Sequence, residues 1–155
     1  MPTATYRVVF SSPIGFVRIE ADERGIRWIS FAQDPVKDSD DAPAFLRDGQ
    51  RQLEEYFAGK RRMFNSLPMS IRATDFQQSV WDATTEIPFG LTRSYGELAQ
   101  DIGAPDAARA VGTALGRNMI AIIIPCHRIV SASEDQGGYA WGEWRKEWLL
   151  KHEGH

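Results

Sequence analysis

The sequence predicts an α+β chain: a small antiparallel sheet with a helix in an N-terminal domain, followed by a helical C-terminal domain containing a helix-turn-helix. Three observations carry this expectation. Residues 5 to 31 alternate polar with apolar side chains at a period of two, as half-buried strands do. From Thr74 onward the apolar period is that of helices, and two capping-box signatures mark helix starts. The pattern changes near residues 68 to 74, which divides the chain into residues 1–70 and 71–155.

Taken in order, "TYRVVFSSPIGFVRIEADERGIRWISF" places Val, Ile, Phe and Trp between Ser-Pro and Glu-Arg-Gly turns, giving two or three antiparallel strands. Residues 33 to 43 are acidic and unpatterned, hence a surface loop. Phe45, Leu46, Leu53, Tyr56 and Phe57 recur at helical spacing, and Gly59 can end that helix. "RRMFNSLPMSIR" is expected to return as one more strand. Thr74 with Gln77, and Ser94 with Glu97, then match capping boxes. Tyr95, Leu98, Ala99 and Ile102 share one helical face, Gly103 stops that helix, and Pro105 suits the first turn of a next helix running over "DAARAVGTAL" to Gly116. Two short helices joined by a glycine-containing turn outline a helix-turn-helix, although an ordinary helical hairpin gives the same pattern. The second helix is poor in side chains: Ala107, Ala108, Ala110, Gly112 and Ala114 permit close approach to another surface, and Arg109 is its long projecting group. "RKEWLLKHEG" forms a terminal helix.

Composition narrows the function classes. A chain of 155 residues at 43% hydrophobic content supports one or two domains. No stretch approaches the roughly 20 apolar residues of a membrane helix, and Met1 to Ser11 lacks the marks of a secretory signal, so an intracellular protein is expected. The net charge of -3 argues against a polybasic nucleic-acid binder, so any DNA contact must be local. One cysteine forbids an internal disulfide, and His127, His152 and His155 give no zinc spacing, so no metal site is expected.

That cysteine lies in "IIIPCHRIV", where an apolar run enters a Pro-Cys-His-Arg turn. A lone buried cysteine is ordinarily inert core filler. Here the proline ends the run, while His127 supplies a base and Arg128 a positive charge, both favouring thiolate. Side chains of adjacent residues diverge on an extended backbone, so a bridging water would carry the proton from Cys126 to His127. An acid should orient the imidazole, and Glu153, Glu134 and Asp135 are all candidates by spacing.

"SYGELAQDIGAP", "ARAVG", "IPCHRIV", "GGYA" and "RKEWLLKHEG" stand in the order found in the O6-alkylguanine-DNA alkyltransferases. Residues 75 to 155 resemble that family almost throughout, and the N-terminal part resembles its more variable strand-rich domain. The resemblance implies a DNA repair protein that flips O6-alkylguanine, and O4-alkylthymine, out of duplex DNA and transfers the alkyl group irreversibly to Cys126. Each molecule then acts once. It implies His127 as base acting through a water, Glu153 holding the imidazole, Tyr95 as proton donor to the guanine ring, and Asn118 bracing the cysteine turn. Arg109 would fill the gap in the base stack, with Ala107, Ala108, Ala110, Tyr95 and Arg128 at the DNA. Ile129, Tyr139, Ala140, Trp141 and Leu115 would line the substrate pocket. The partner implied is double-stranded DNA read from the minor groove, with no cofactor. The protein is expected to be monomeric, with cooperative binding along DNA left open, and to be cytoplasmic, on the nucleoid in a prokaryote or nuclear in a eukaryote.

The chain departs from the family pattern in two places. Arg117 and Met119 flank Asn118 where the family commonly has glycine before and proline after. Trp141 stands where the family has glycine, placing an indole at the lip of the pocket. The chain also ends two residues after Glu153, so fraying of that helix is expected to loosen the His127 network. A binding-only sensor of alkylated DNA and a cysteine hydrolase built on Cys126, His127 and Glu153 are the competing functions. The sensors replace the cysteine, and a hydrolase needs an oxyanion hole that no sequence feature marks.

Overall fold

The computed structural model describes residues 5–131 and 138–154, and the chain divides into two compact units, Met1–Arg72 and Ala73–His155. In the first unit, β1 (Tyr6–Ser12), β2 (Gly15–Ala21) and β3 (Ile26–Ala32) form an antiparallel meander in the order β1-β2-β3. Val8, Phe10, Val17, Ile19 and Ala21 alternate inward, which follows from the two-residue period of the strand. Helix α1 (Ala44–Phe57) closes this face with Leu46, Leu53 and Tyr56, and Gly59 follows its end at φ 76°.

The strand expected over residues 61–72 is not there. One bridge, Ile26 with Met69, is all that forms, bounded by the Ile26 N–H to Pro68 O bond of 2.8 Å and the Ser70 N–H to Ile26 O bond of 2.8 Å. Pro68 has no N–H to donate to a ladder. Upstream, the buried Gln52 amide takes both polar groups of the Asn65 backbone, accepting from its N–H at 3.1 Å and donating to its C=O at 2.8 Å.

The second unit holds α2 (Asp75–Thr85), α3 (Tyr95–Asp101), α4 (Ala108–Gly116) and α5 (Glu143–His152). Both capping boxes form: Thr74 and Ser94 each accept from the third backbone N–H of their helix, and Gln77 and Glu97 return the bond. Residues 102–107 connect α3 to α4, with Gly103 at φ 75°. The second helix begins at Ala108, two residues later than expected, because Pro105 lies in a turn closed by the Ala107 N–H to Ala104 O bond of 2.9 Å. Trp81 of α2 is buried and donates its indole N–H to Ala114 O of α4 at 2.9 Å, which ties those helices together. Among the described residues, no helix is long and apolar enough to cross a membrane.

Two short strands position the site. The pair β4 (Arg93–Ser94) and β5 (Ile129–Val130) is parallel, in register Arg93 with Ile129 and Ser94 with Val130. Tyr95 directly follows β4, and a single 3₁₀ turn, Cys126–Arg128, directly precedes β5. The ladder thus carries the first residue of α3 to the cysteine turn. Ser94 is both in the ladder and the cap of α3, so Ser94→Ala should cost about 1 kcal/mol in a urea-unfolding titration, the ordinary worth of such a cap.

Candidate active site

Cys126 and His127 sit in the 3₁₀ turn, buried to 7% and 0% exposure. His127 Nε2 lies 2.8 Å from Glu153 Oε2. Glu153 caps the end of α5 and is itself buried. Burial alone would raise its carboxyl, but hydrogen bonds from His127 and Arg128 hold it far below the usual carboxylate range. An ionised carboxylate only accepts, so Nε2 carries the hydrogen and Nδ1 keeps its lone pair. Nδ1 is buried and has no hydrogen-bond partner among the described residues. Burial pushes the His127 imidazolium down against the pull of Glu153, so the ring is neutral at neutral pH.

Arg128 corrects an expectation. Placed at the DNA by the family resemblance, it is buried, and three of its guanidinium N–H groups donate inside the protein. Nε donates to Glu153 Oε1 at 2.7 Å, Nη2 to Glu153 Oε2 at 3.0 Å, and Nη1 to Ile87 O at 2.7 Å. Where fraying was expected, Glu153 is held by both Arg128 and His127. Glu134 and Asp135, the other candidates for orienting His127, lie outside the described residues.

Asn118 is buried just beyond α4. Its Oδ1 accepts the Ile120 N–H at 2.8 Å, and its Nδ2 donates to Ile124 O at 3.0 Å and to Cys126 Sγ at 3.2 Å. These bonds form with Arg117 and Met119 as neighbours, so the departures from the family pattern leave the asparagine's grip on the turn intact. Burial pushes the Cys126 thiol up to about 11, against the Asn118 hydrogen bond and the charge of Lys146, which both favour thiolate.

Sequence reasoning missed Lys146. It is fully buried on α5, and its Nζ donates to Ile129 O at 2.6 Å and Gly138 O at 3.2 Å. A signal was available: Lys146 precedes Leu149, Leu150 and Glu153 by three, four and seven residues, the spacing of one helix face.

Tyr95 is half-buried, and burial first, then the Cys126 charge, raises its phenol above the ordinary value, so it stays protonated near the sulfur. Its ring lies along α4, where a methyl group added at Gly112 would come within 3.7 Å of Tyr95 Cε1. The other sequence candidates scatter by environment. Arg109 and Ala110 are exposed near the start of α4, Ala107 and Ala108 are half-buried, and Leu115 is buried on its inner side. Tyr139 and Trp141 are half-buried and Ala140 exposed. The rings of Trp141 and Tyr139 meet edge-on at 5.2 Å, and Tyr139 meets His127 at 6.5 Å, forming an aromatic row that ends at the imidazole.

A buried thiol held by an amide, beside a neutral imidazole backed by a carboxylate and an arginine, defines a protein with a cysteine nucleophile. Residues 75–155 match the 6-O-methylguanine DNA methyltransferase DNA binding domain, and residues 5–71 match the ribonuclease-like domain of the same proteins. A methylated-DNA--protein-cysteine methyltransferase from Methanosarcina acetivorans is 47% identical over 154 residues, covering 96% of this chain and 98% of the relative. The crystal structure of Mycobacterium tuberculosis O6-methylguanine methyltransferase superposes with a TM-score of 0.85 at 41% identity, covering 97% of this chain and 93% of that one. A crystal structure of Mycobacterium tuberculosis OGT in complex with DNA gives a TM-score of 0.84 at 42% identity, over 95% and 92% of the two chains. The chain belongs to the 6-O-methylguanine DNA methyltransferase family.

Two measurements test the electrostatics. His127 is kept neutral by the fold but protonates in the unfolded chain below the ordinary histidine value of 6.5, so the unfolded state binds more protons there and stability falls as pH drops below 6.5. Glu153, depressed in the fold, adds a further loss below 4.5. Melting temperature against pH should therefore decline in two stages, and His127→Gln should flatten the first. Arg128→Met, which strands a buried carboxylate, should cost about 3–5 kcal/mol in chemical denaturation.

Proposed function

We propose that this protein repairs O6-alkylguanine in duplex DNA by transferring the alkyl group to Cys126, once per molecule. The observation that carries this reading is the unspent Nδ1 lone pair of His127, buried beside the cysteine and oriented from behind by Glu153. Family membership supplies the substrate class.

In the step proposed, His127 Nδ1 takes the thiol proton through a water, the sulfur attacks the alkyl carbon, and the bond from that carbon to O6 breaks. Its electron pair passes into the guanine ring as Tyr95 donates a proton, so guanine leaves neutral. The product on the protein is a thioether. Asn118 fixes the turn during attack, and backbone groups near Cys126, Ile129 and Ala140 read the guanine edge. Arg109, exposed near the start of α4, is the side chain placed to fill the stack, since unstacking costs a few kcal/mol that an inserted group partly offsets. The small residues around Ala107, Ala108 and Ala110 suit a helix lying in the minor groove, and few phosphate contacts fit a chain of net charge -3. The helix pair α3 and α4 then serves as a helix-turn-helix, and the work is done wherever the genome is housed. O4-alkylthymine is a second substrate on the same chemistry.

Incubation with a duplex holding one O6-methylguanine should add one methylene mass to the peptide containing Cys126, saturating at one per protein. Cys126→Ala should bind that duplex and gain nothing. Binding without any mass change would leave a damage sensor, and repeated release of a soluble acyl product would leave a hydrolase. On this reading the Trp141 indole lies at the lip of the pocket, where it either narrows entry or offers a stacking wall; narrowing predicts that benzyl adducts react at least ten-fold more slowly than methyl and that Trp141→Gly recovers most of the difference. Equal rates for both adducts, with no gain in the variant, would sink the assignment of Trp141.

A further inference from the structure

The backbone between Asn118 and Cys126 holds a conformation that the chemistry above does not use. Ile122 has φ 70°, a left-handed value that a β-branched side chain rarely adopts. The Ile123 N–H donates to Ala121 O at 2.8 Å, which closes a three-residue turn centred on Ile122. With a positive φ this is the γ-turn of the strained hand. Three residues on, Pro125 at φ -83° and ψ 61° centres a second such turn, of the relaxed hand, closed by the Cys126 N–H to Ile124 O bond of 2.8 Å.

The strained turn is clasped from both sides. Asn118 accepts from Ile120 N–H and donates to Ile124 O, and Ile124 N–H reaches Ile120 O at 3.2 Å. The same amide reaches the cysteine sulfur. The Ile122 side chain is 1% exposed, and a β-branched chain held in a packed core has little rotamer freedom.

We propose that Ile122 is a positioning residue for the transfer: its forced γ-turn sets the direction in which Ile124 and Cys126 leave the loop and so aims the sulfur at the alkyl carbon. This rests on the alkyl-transfer reading. Attack needs the reacting atoms about 3–3.5 Å apart and aligned, and a misplacement of about 1 Å can cost 100-fold. Strain confined to one backbone position persists where its surroundings over-determine it, as the Asn118 clasp does here. Glycine at 122 would accept the positive φ without strain but would also admit the alternatives, so the sulfur would sample a wider range.

The test is single-turnover methyl transfer from a duplex carrying O6-methylguanine, measured well below the melting temperature for the wild type, Ile122→Val, Ile122→Ala and Ile122→Gly. Ile122→Val should transfer within two-fold of wild type. Ile122→Gly should be at least ten-fold slower at saturating DNA, with the half-saturating DNA concentration and the pH profile unchanged. It should also melt no lower than Ile122→Ala, the reverse of the usual order of glycine and alanine. A glycine variant that transfers at the wild-type rate, or whose loss lies in DNA affinity or the pH midpoint, overturns the proposal. Should the small-residue variants not fold, hydrogen exchange on the wild type decides: a protected Ile123 amide supports the turn, and one exchanging at the unstructured rate overturns it. A wild-type protein that transfers no methyl defeats the alkyl-transfer reading by itself, before any variant is compared, and the positioning role with it.

Discussion

The site depends on a carboxylate kept ionised where burial would neutralise it. Glu153 is almost solvent-free, and an isolated buried carboxylate would protonate rather than pay the desolvation cost. The Arg128 fork prevents this by placing a permanent cation on the carboxylate. Because Arg128 balances the charge, Glu153 does not need a protonated histidine. It orients His127 through Nε2–H and leaves the ring neutral, with Nδ1 available as a base. Were the partner a lysine, its ammonium could not make the same paired contact with both carboxylate oxygens. Burial is the main reason the histidine stays neutral, and the Arg128 charge adds to it from inside.

A second constraint is geometric. Tyr95 and Cys126 are 31 residues apart in sequence and belong to different local structures, a helix start and a 3₁₀ turn. The β4–β5 pair joins the residues adjacent to each, so the phenol and the thiol are positioned by backbone hydrogen bonds rather than by flexible side chains. Lys146 completes the frame by tying Ile129 O to Gly138 O. A cation there both orders the backbone around the site and favours the thiolate electrostatically.

Legibility in the sequence followed the range of the interactions. The meander, α1 and the capped starts of α2 and α3 were readable because each is written in spacing or in a local cap, as Ser94 with Glu97 shows. The strand expected at 61–72 failed where Pro68 and the Gln52 clasp on Asn65 outweighed an apolar pattern. The site was readable in part: Cys126 and His127 announce themselves by adjacency, whereas Glu153 was one acid among three until the family resemblance singled it out. Arg128 and Lys146 were misread or missed because burying a charge depends on partners 25 and 17 residues away, which no local pattern records. The turn at Ile122 left no trace, since nothing in an isoleucine's identity predicts a positive φ.

On the proposed reading, the same arrangement accounts for a protein that acts once. A cysteine hydrolase forms a thioester, whose acyl carbon water can attack, and that hydrolysis releases the acid and restores the thiol. Transfer of an alkyl group forms a thioether instead, whose carbon carries no carbonyl and offers water no such route. His127 is poised to accept one proton, and the leaving guanine is served by a different acid, Tyr95. Division of the two proton transfers between separate groups gives the forward reaction what it needs. Nothing in the chemistry of a thioether runs the site backward, so one sulfur is spent on each lesion.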